Sequence, residues 1–177
     1  DRDGQKSVPL VKLAQTKGKI TNALKEYDPA FSYDKFEGQL VALIRMAVFA
    51  EQPEELACYR GGARDVRFAD ILEMTYTNGT VLNKMNREGD KLQLFLRTWW
   101  VNYSEQNGRV VKKGDCIDVV VSRDITRQEA PGFSITSVHC EGCGGSFDAV
   151  RQRRCPYCGS EYHMEKEGWI IESMKLS

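Results

Sequence analysis

The spacing of hydrophobic residues in the first part of the chain is helical. In residues 8–27 and 32–51, apolar side chains recur at intervals of three or four, which predicts two amphipathic helices. Ser32 fits the N-cap of the second helix, which carries the broader apolar stripe. We place Glu37 and Arg45 on its polar face. The second helix is therefore predicted to be the main core helix, with its stripe used for packing.

Strand-like segments follow the helices. Their bounds are 71–85, 92–103, 115–125, 133–139 and 169–176. Asn78-Gly79 lies inside the first segment and marks either a hairpin or a bulge in one bent strand. The segment 92–103 alternates with apolar residues on both faces, so we expect it to be central in its sheet. Helices followed by long antiparallel strands predict an α+β fold.

The composition is that of an ordinary soluble globular protein. Of the 177 residues, 41% are apolar and 28% are charged, and 25 Lys and Arg balance 25 Asp and Glu. This balance gives no global indication of nucleic-acid binding. The sequence has no apolar run of about 18 residues, so it predicts no membrane span within the chain. Cys58 and Cys116 lie apart from the other four cysteines, a usage that fits a reducing compartment and predicts a cytoplasmic location.

The pattern divides the chain into three parts. Residues 1–27 form a basic amphipathic N-terminal arm, with six Lys or Arg and three acidic residues. Such a helix either lies on an anionic membrane surface or packs on its own domain with a solvated lysine face, and we favour packing. Residues 28–138 and 164–177 form the α+β domain. Residues 139–163 form a small cysteine-rich ribbon that is inserted between two strands of that domain.

The most specific chemistry lies in that ribbon. It contains two Cys-x-x-Cys pairs, made by Cys140 with Cys143 and by Cys155 with Cys158. Two such pairs at this separation predict a structural Zn²⁺ ion held by four thiolates. Gly144 and Gly159 each follow the second cysteine of a pair, and glycine suits the left-handed backbone that a metal-binding turn needs.

Other interpretations of the four thiols stay open. Two disulfides, a redox pair or an iron–sulfur cluster would also use these cysteines. A redox pair would be expected beside a βαβ pattern, which the sequence does not show, and the usual spacings of iron–sulfur clusters differ. His139 or His163 is able to replace one cysteine, and we prefer four thiolates. Three arginines lie just ahead of the second pair, namely Arg151, Arg153 and Arg154. They either offset the negative charge of a four-thiolate zinc site, which we prefer, or form a nucleic-acid patch.

The same residues resemble a known family. The matching features are DPAFS at 28–32, the long strands, CEGCGGSFD at 140–148, CPYC at 155–158 and Trp169-x-x-x-Glu172. The chain resembles bacterial relatives of the C-terminal domain of the import-motor tether of the mitochondrial inner-membrane translocase, within the nuclear-transport-factor-two-like superfamily. The resemblance covers roughly residues 20–175. The ribbon is its most specific part, and the mitochondrial relative has no such ribbon.

The resemblance implies an α+β cone, in which N-terminal helices pack on a curved antiparallel sheet around a cup, with the four-cysteine zinc ribbon inserted. It also implies a membrane-spanning segment ahead of this sequence. Some members of the superfamily are isomerases or dehydratases, which need a carboxylate base and hydrogen-bond donors in the cup. The candidates are Glu73, Asp118, Tyr76, Trp99 and Tyr103. They form no spacing that such chemistry requires, and we interpret each as structural; Asp118 equally fits an ion pair to a neighbouring strand.

Two classes of function remain, with a third behind them. The first is a non-catalytic binding or scaffold domain near the inner face of a bacterial membrane, holding a protein partner, a peptide or a lipid chain in the cup or on an aromatic sheet face. The residues of that face are Phe95, Arg97, Trp99 and Tyr103. The second is a small-molecule enzyme with its site in the cup. The third, nucleic-acid binding through the ribbon, is not expected.

The expected ribbon chemistry argues against catalysis. With all four zinc positions filled by protein, no open position exists to activate water, so we assign no catalytic residue. Serine-triad and phosphate-loop motifs are also absent from the sequence. Strand edges and tryptophans on the surface of such a domain would allow a homodimer.

Overall fold

The computed structural model describes residues 7–126, 138–148, 152–164 and 168–177. Within them the helices are α1 (Leu10–Lys25) and α2 (Tyr33–Phe49), and short 3-10 helices span Pro53–Glu55 and Val66–Asp70. The strands are β1 (Ile71–Glu88), β2 (Lys91–Gln106), β3 (Arg109–Asp124), β4 (Val138–His139), β5 (Ser146–Phe147) and β6 (Ile170–Leu176). The two α-helices pack on a curved antiparallel sheet, which confirms the predicted α+β class.

The main sheet has the strand order β1-β2-β3-β6, and each neighbouring pair is antiparallel. β2 is a central strand, as its two-sided apolar pattern predicted. Two-residue turns join the first three strands and use positive φ at Gly89 (60°), Asn107 (52°) and Gly108 (77°). Because the second of these turns is so short, β3 begins at Arg109 and is longer than the predicted segment 115–125.

The predicted strand 133–139 lies largely outside the described residues. Its last two residues, Val138 and His139, form β4, which pairs with β5 in a separate two-stranded sheet. In chain order the cysteine-bearing segment therefore falls between β3 and β6, which are themselves hydrogen-bonded neighbours.

Asn78 and Gly79 form a bulge in one bent strand and not a hairpin. The pairing of β1 with β2 shifts register between Tyr76 and Gly79, and Asn78 has a φ of 60°. Gly79 is needed here for space, because a Cβ at this position would lie 2.9 Å from Cγ2 of Val8. The bulge thereby opens a notch at the edge of the sheet that the N-terminal segment fills.

The main core lies between α2 and the inner face of the sheet. The buried side chains of α2 are Tyr33, Phe36, Leu40, Leu43, Ile44, Ala47 and Val48. They face even-numbered residues of β2, of which Leu94, Leu96 and Trp100 are at most 1% exposed. Each fully buried leucine stabilises the fold by about 1.5–3 kcal/mol. Side chains therefore fill the space between α2 and the centre of the sheet, where the resemblance led us to expect a cup.

Both ends of α2 are capped. The hydroxyl of Ser32 accepts a hydrogen bond from the Lys35 N–H at 3.3 Å, as the sequence predicted. The guanidinium of Arg64 donates to three carbonyl oxygens at the other end, those of Ala47, Val48 and Ala50, at 2.8, 2.6 and 2.8 Å. A cation at this end also compensates the negative pole of the helix dipole. Arg64 thus fixes the direction in which the chain leaves α2.

Glu37 is half-buried, although we expected it on the polar face of α2. The hydroxyl of Tyr76 donates to its carboxylate at 2.8 Å and lies 2.6 Å from the Thr80 hydroxyl. Burial raises the pKa of the Tyr76 phenol well above its usual range. The expectation was wrong because helical spacing gives the face of a residue but not the tyrosine that reaches it from β1.

α1 crosses the edge of the sheet from one face to the other. Its residues Ile20 and Leu24 are fully buried in the main core. Nearer the N-terminus, Val8 and Leu13 pack against a second, smaller cluster on the opposite face, which contains Trp99. α1 therefore packs on its own domain, the alternative that we favoured over a helix lying on an anionic membrane surface. Among the described helices, none is both long and apolar enough to cross a membrane.

Thr16 covers part of the exposed edge of β1. Its hydroxyl oxygen accepts a hydrogen bond from the Leu82 N–H at 2.8 Å. β1 is an edge strand of the main sheet, so this backbone donor would otherwise face solvent or another chain. At this point a side chain of α1 thus supplies the hydrogen-bond acceptor that a neighbouring strand would otherwise provide.

We predict that Thr16→Val destabilises the fold by about 1–2 kcal/mol, because valine keeps the shape but leaves the half-buried Leu82 N–H without its acceptor. Urea denaturation followed by circular dichroism measures this change. Thr21→Val is the matched control, since the Thr21 hydroxyl is buried in the same helix without a hydrogen-bond partner among the described residues. It should be neutral or slightly stabilising. Equal losses in both variants would contradict the role of Thr16.

Candidate metal centre

The four ribbon cysteines converge on one point. The Sγ atoms of Cys140 and Cys158 are 3.6 Å apart, as are those of Cys143 and Cys155. All four sulfur atoms lie within 4.8 Å of one another. The spacing of the two Cys-x-x-Cys pairs predicted this cluster.

Two turns with the same hydrogen-bond pattern hold the sulfur atoms. In the first, the Gly144 N–H donates to the Cys140 carbonyl at 2.8 Å; in the second, the Gly159 N–H donates to the Cys155 carbonyl at 2.9 Å. The two glycines have φ values of 76° and 77°. This left-handed backbone is the conformation that the sequence predicted for them. Each turn doubles back sharply enough to direct both of its sulfurs to the same side.

The two turns also pack directly on each other. A Cβ at Gly145 would lie 2.5 Å from Cδ2 of Tyr157, and a Cβ at Gly142 would lie 3.2 Å from Oγ of Ser160. Gly145 is thus required by contact between the turns and not by its own backbone angles, whereas a side chain at Gly142 would need Ser160 to shift slightly. Sequence reasoning missed these two residues, because the contacts join turns that are separated in the chain.

The geometry is compatible with one metal ion. Sulfur atoms held tetrahedrally around Zn²⁺ at about 2.3 Å are about 3.8 Å apart. The 3.6 Å separations are close to this value and are far longer than a disulfide bond. All six cysteines lie in the described residues and are present as free thiols. In this structure no disulfide joins these cysteines, and the cluster leaves room for a single ion between the sulfurs.

No histidine belongs to the cluster found among the described residues. Nδ1 of His139 lies 2.9 Å from the Ser146 hydroxyl, in the small β4–β5 sheet. His163 is exposed beside the second turn. The preference for four cysteines over a mixed set agrees with this arrangement.

The protonation of the thiols is uneven. Hydrogen bonds from the side chain and backbone of Ser160, together with the Cys140 thiol, lower the pKa of Cys158 to about 6. At Cys143 the Gly145 N–H acts in the same direction, but the surrounding thiols outweigh it and raise the pKa to about 11. Four adjacent thiols repel one another when all are ionised, and a divalent cation among them removes that repulsion.

The inner half of the ribbon belongs to the main core. Cys140 and Cys155 are buried in the same hydrophobic cluster as α2 and the sheet, whereas Cys143 and Cys158 are exposed. Met164 is fully buried in that cluster. The thiol cluster therefore has one face against the body of the protein and one face toward solvent.

Arg153 ties the ribbon to the body. Its guanidinium donates to the carbonyl oxygens of Tyr59 at 2.5 Å and Leu56 at 3.4 Å. Burial and the nearby cation Arg60 lower the pKa of Arg153. Arg154 is exposed and donates to the Gly159 carbonyl within the ribbon, while Arg151 lies outside the described residues. At least one of the three predicted basic residues therefore points inward.

The segment that Arg153 holds extends the main sheet. The Arg60 N–H donates to the Ile171 carbonyl, and the Ile171 N–H donates to the Cys58 carbonyl, each at 2.7 Å. Residues 58–60 thus run parallel to β6 and cover its outer edge. Hydrophobic periodicity does not predict this pairing, because three residues are too few to show an alternation.

The aromatic face proposed as a binding surface is partly covered. Trp99 is 7% exposed beneath Val8 and Leu13. The ammonium of Lys84 lies 5.2 Å from the centre of the half-buried Phe95 ring. Tyr103 is half-buried toward the end of the same face. The face thus has two open parts, one at Phe95 and one at Tyr103. Val8 and Leu13 cover the part between them.

Arg97 is engaged within the protein. Its guanidinium pairs with the Asp118 carboxylate at 2.8 and 3.1 Å across β2 and β3, and also donates to the Ser177 hydroxyl at 2.9 Å. This is the cross-strand ion pair that we considered for Asp118. Glu73, the other carboxylate considered for catalysis, is exposed on β1. The candidates for acid–base chemistry therefore do not converge on one site.

Comparisons of the chain with protein-family models, with curated proteins and with solved structures found no match.

We predict that Cys155→Ser lowers the zinc content of the purified protein well below one ion per chain, because an alcohol is a far weaker zinc ligand than a thiolate. Elemental analysis measures the metal. Cys116→Ser is the matched control, since Cys116 is buried in the smaller cluster with Trp99, outside the thiol cluster. It should keep its metal even if it loses stability. Full zinc occupancy in Cys155→Ser would refute the assignment.

We predict that Arg153→Leu destabilises the protein by about 1.5–3 kcal/mol, since it removes charged hydrogen bonds to two carbonyl oxygens. The exposed Arg154→Leu should cost less than about 1 kcal/mol. Denaturant unfolding of both variants, each loaded with zinc, gives the comparison. Indistinguishable stabilities would mean that Arg153 does not hold the ribbon against residues 56–59.

Proposed function

We propose that this protein is a non-catalytic binding domain in which Zn²⁺ has a structural role. The observation that carries the proposal is the closed set of four convergent thiols. Four protein ligands complete the tetrahedral shell of zinc and leave no position for water or substrate. Thiolate-only coordination also favours zinc over magnesium, calcium or manganese, which prefer oxygen ligands. The ion would then fix the ribbon against the core and would not act as a Lewis acid.

The packing of the interior supports binding over catalysis. An enzyme of the superfamily that the chain resembles would need a cup with a buried carboxylate and convergent donors. In this protein Leu40, Leu96 and Trp100 are among the side chains that fill the corresponding space. The half-buried Tyr76 phenol and the Glu37 carboxylate are hydrogen-bonded to each other, which leaves neither directed at a substrate.

We place the binding surface on the outer face of the sheet, around Phe95 and Tyr103. Both rings are half-buried, so they present apolar area without being packed away. The cross-strand pair of Arg97 and Asp118 lies between them and gives the face a fixed polar feature. Between the two rings the face is also covered at Trp99 by Val8 and Leu13. Two separate open parts, one of them beside a charged pair, suit short peptides that carry apolar side chains.

The kinship and location are part of the same proposal. We propose that the fold is a cone of the nuclear-transport-factor-two-like superfamily and that the domain works near the inner face of a bacterial membrane, as the resemblance of the ribbon motifs implies. The packing of the two helices against a curved sheet supports this kinship. In that setting the exposed outer face would be available to a protein partner in the cytoplasm.

We predict that the protein binds short apolar peptides through this face. Screening an array of random peptides by fluorescence should yield ligands enriched in aromatic and aliphatic residues, and Phe95→Asp should weaken binding by at least about tenfold because it places a charge in the contact. Val66→Asp is the control, since Val66 is 84% exposed in a 3-10 helix outside the sheet. A screen without ligands, or ligands insensitive to Phe95→Asp, would contradict the proposal.

A further inference from the structure

The outward side of α1 carries an apolar patch between lysines. Leu10 and Val11 are 76% and 73% exposed, although leucine and valine are usually buried. At about 100° per residue, Ala14 lies between them on the helix surface, with Lys17 on one side and Lys12 on the other. These five residues are all exposed, although the helix itself packs on the domain. They are called the α1 patch below.

A groove of complementary character lies beside the C-terminal end of α2. It has a volume of about 590 Å³ and is called the α2 groove. Met46, Phe49 and Leu56 provide its apolar surface, and the Phe49 ring is 45% exposed. Glu51 and Glu55 are exposed residues of its lining. The groove therefore offers apolar area beside negative charge, whereas the α1 patch presents apolar area beside positive charge.

The cations near the groove are not among the residues that line it. Arg64 is directed at the last carbonyls of α2, and Arg153 is directed at the Leu56 and Tyr59 carbonyls on the inner side. Arg45, an exposed cation of α2, lies outside the residues that line the groove. Glu51 and Glu55 are thus the two charged residues of the lining.

We propose that the α1 patch of one copy of this chain docks into the α2 groove of a second copy. Both surfaces expose apolar side chains, and their charges are opposite in sign. They are unable to meet within one molecule, because the other side of α1 is buried through Ile20 and Leu24 in its own core. A second copy is the occupant whose complementary surface the sequence itself supplies.

This contact joins two different surfaces, so it is heterologous. Repetition of a heterologous contact gives an open chain of molecules, unless the rotation allows two copies to exchange their α1 patches and close as a dimer. One helix end in one groove buries less than a standard stable interface. The association should therefore be weak, concentration-dependent and weakened by salt, since exposed lysines and glutamates supply part of it.

Charge reversal tests the pairing directly. Sedimentation velocity of the full, zinc-loaded chain should show self-association that rises with concentration up to about 1 mM. Lys12→Glu/Lys17→Glu and Glu51→Lys/Glu55→Lys should each weaken it by at least about tenfold, because like charges then face each other. An equimolar mixture of the two variants should associate again, and so should the quadruple variant, because opposite charges are restored.

The matched control changes the same net charge elsewhere on the same helix. Lys19 and Lys25 are exposed toward the C-terminal part of α1. The variant Lys19→Glu/Lys25→Glu should leave association within about twofold of the unmodified protein. Leu10→Ser/Val11→Ser should weaken it without any change of charge. Circular dichroism of every variant identifies loss of folding, and the recovery in the mixture cannot arise from unfolded protein.

Three outcomes would overturn the proposal. The first is a chain that stays monomeric over the whole concentration range. The second is a loss in the Lys19→Glu/Lys25→Glu control equal to that in Lys12→Glu/Lys17→Glu, or no recovery in the mixture. The third is a monomeric protein that floats with phosphatidylglycerol vesicles and loses this property in Lys12→Glu/Lys17→Glu, which would assign the α1 patch to an anionic lipid surface.

Discussion

The pairing of β6 with β3 constrains the whole C-terminal part of the molecule. The two strands are hydrogen-bonded neighbours, so the chain between them has to leave the sheet and come back one strand spacing away. The two cysteine turns lie in this excursion, and the convergence of their sulfurs brings its outgoing and returning parts together. Val138 and Met164, which flank the two turns, are both buried in the main core. The ribbon is thus built into the sheet's connectivity and is more than an attached module.

Other parts of the chain cover both edges of the main sheet. An edge strand exposes unpaired backbone groups and invites aggregation. At one edge α1 lies across β1 and supplies the Thr16 hydroxyl to the Leu82 N–H. At the other edge residues 58–60 pair with Ile171 of β6, and Arg153 of the ribbon holds that segment by its carbonyls. The ribbon therefore contributes to the closure of an edge as well as to the core.

These features have a common consequence for function. Buried side chains occupy the space beneath α2, and four protein thiols converge in the ribbon. What the molecule offers instead is surface: an aromatic sheet face, an apolar and basic end of α1, and an acidic groove beside α2. A rigid body with such surfaces is suited to holding other molecules, which is the role we propose for it.

The sequence by itself determined those parts that depend on local spacing. Helical and alternating periods located α1, α2 and the long strands, and the two Cys-x-x-Cys pairs located the thiol cluster, because turns, caps and pleats are decided by residues close together in the chain. Tertiary structure alone decided what meets across the fold. It turned Glu37 toward Tyr76, buried Trp99 under Val8, filled the expected cup, and set Arg153 on the Tyr59 carbonyl. Each of these contacts joins residues far apart in sequence, and their existence depends on the packing of whole elements, which no local period encodes.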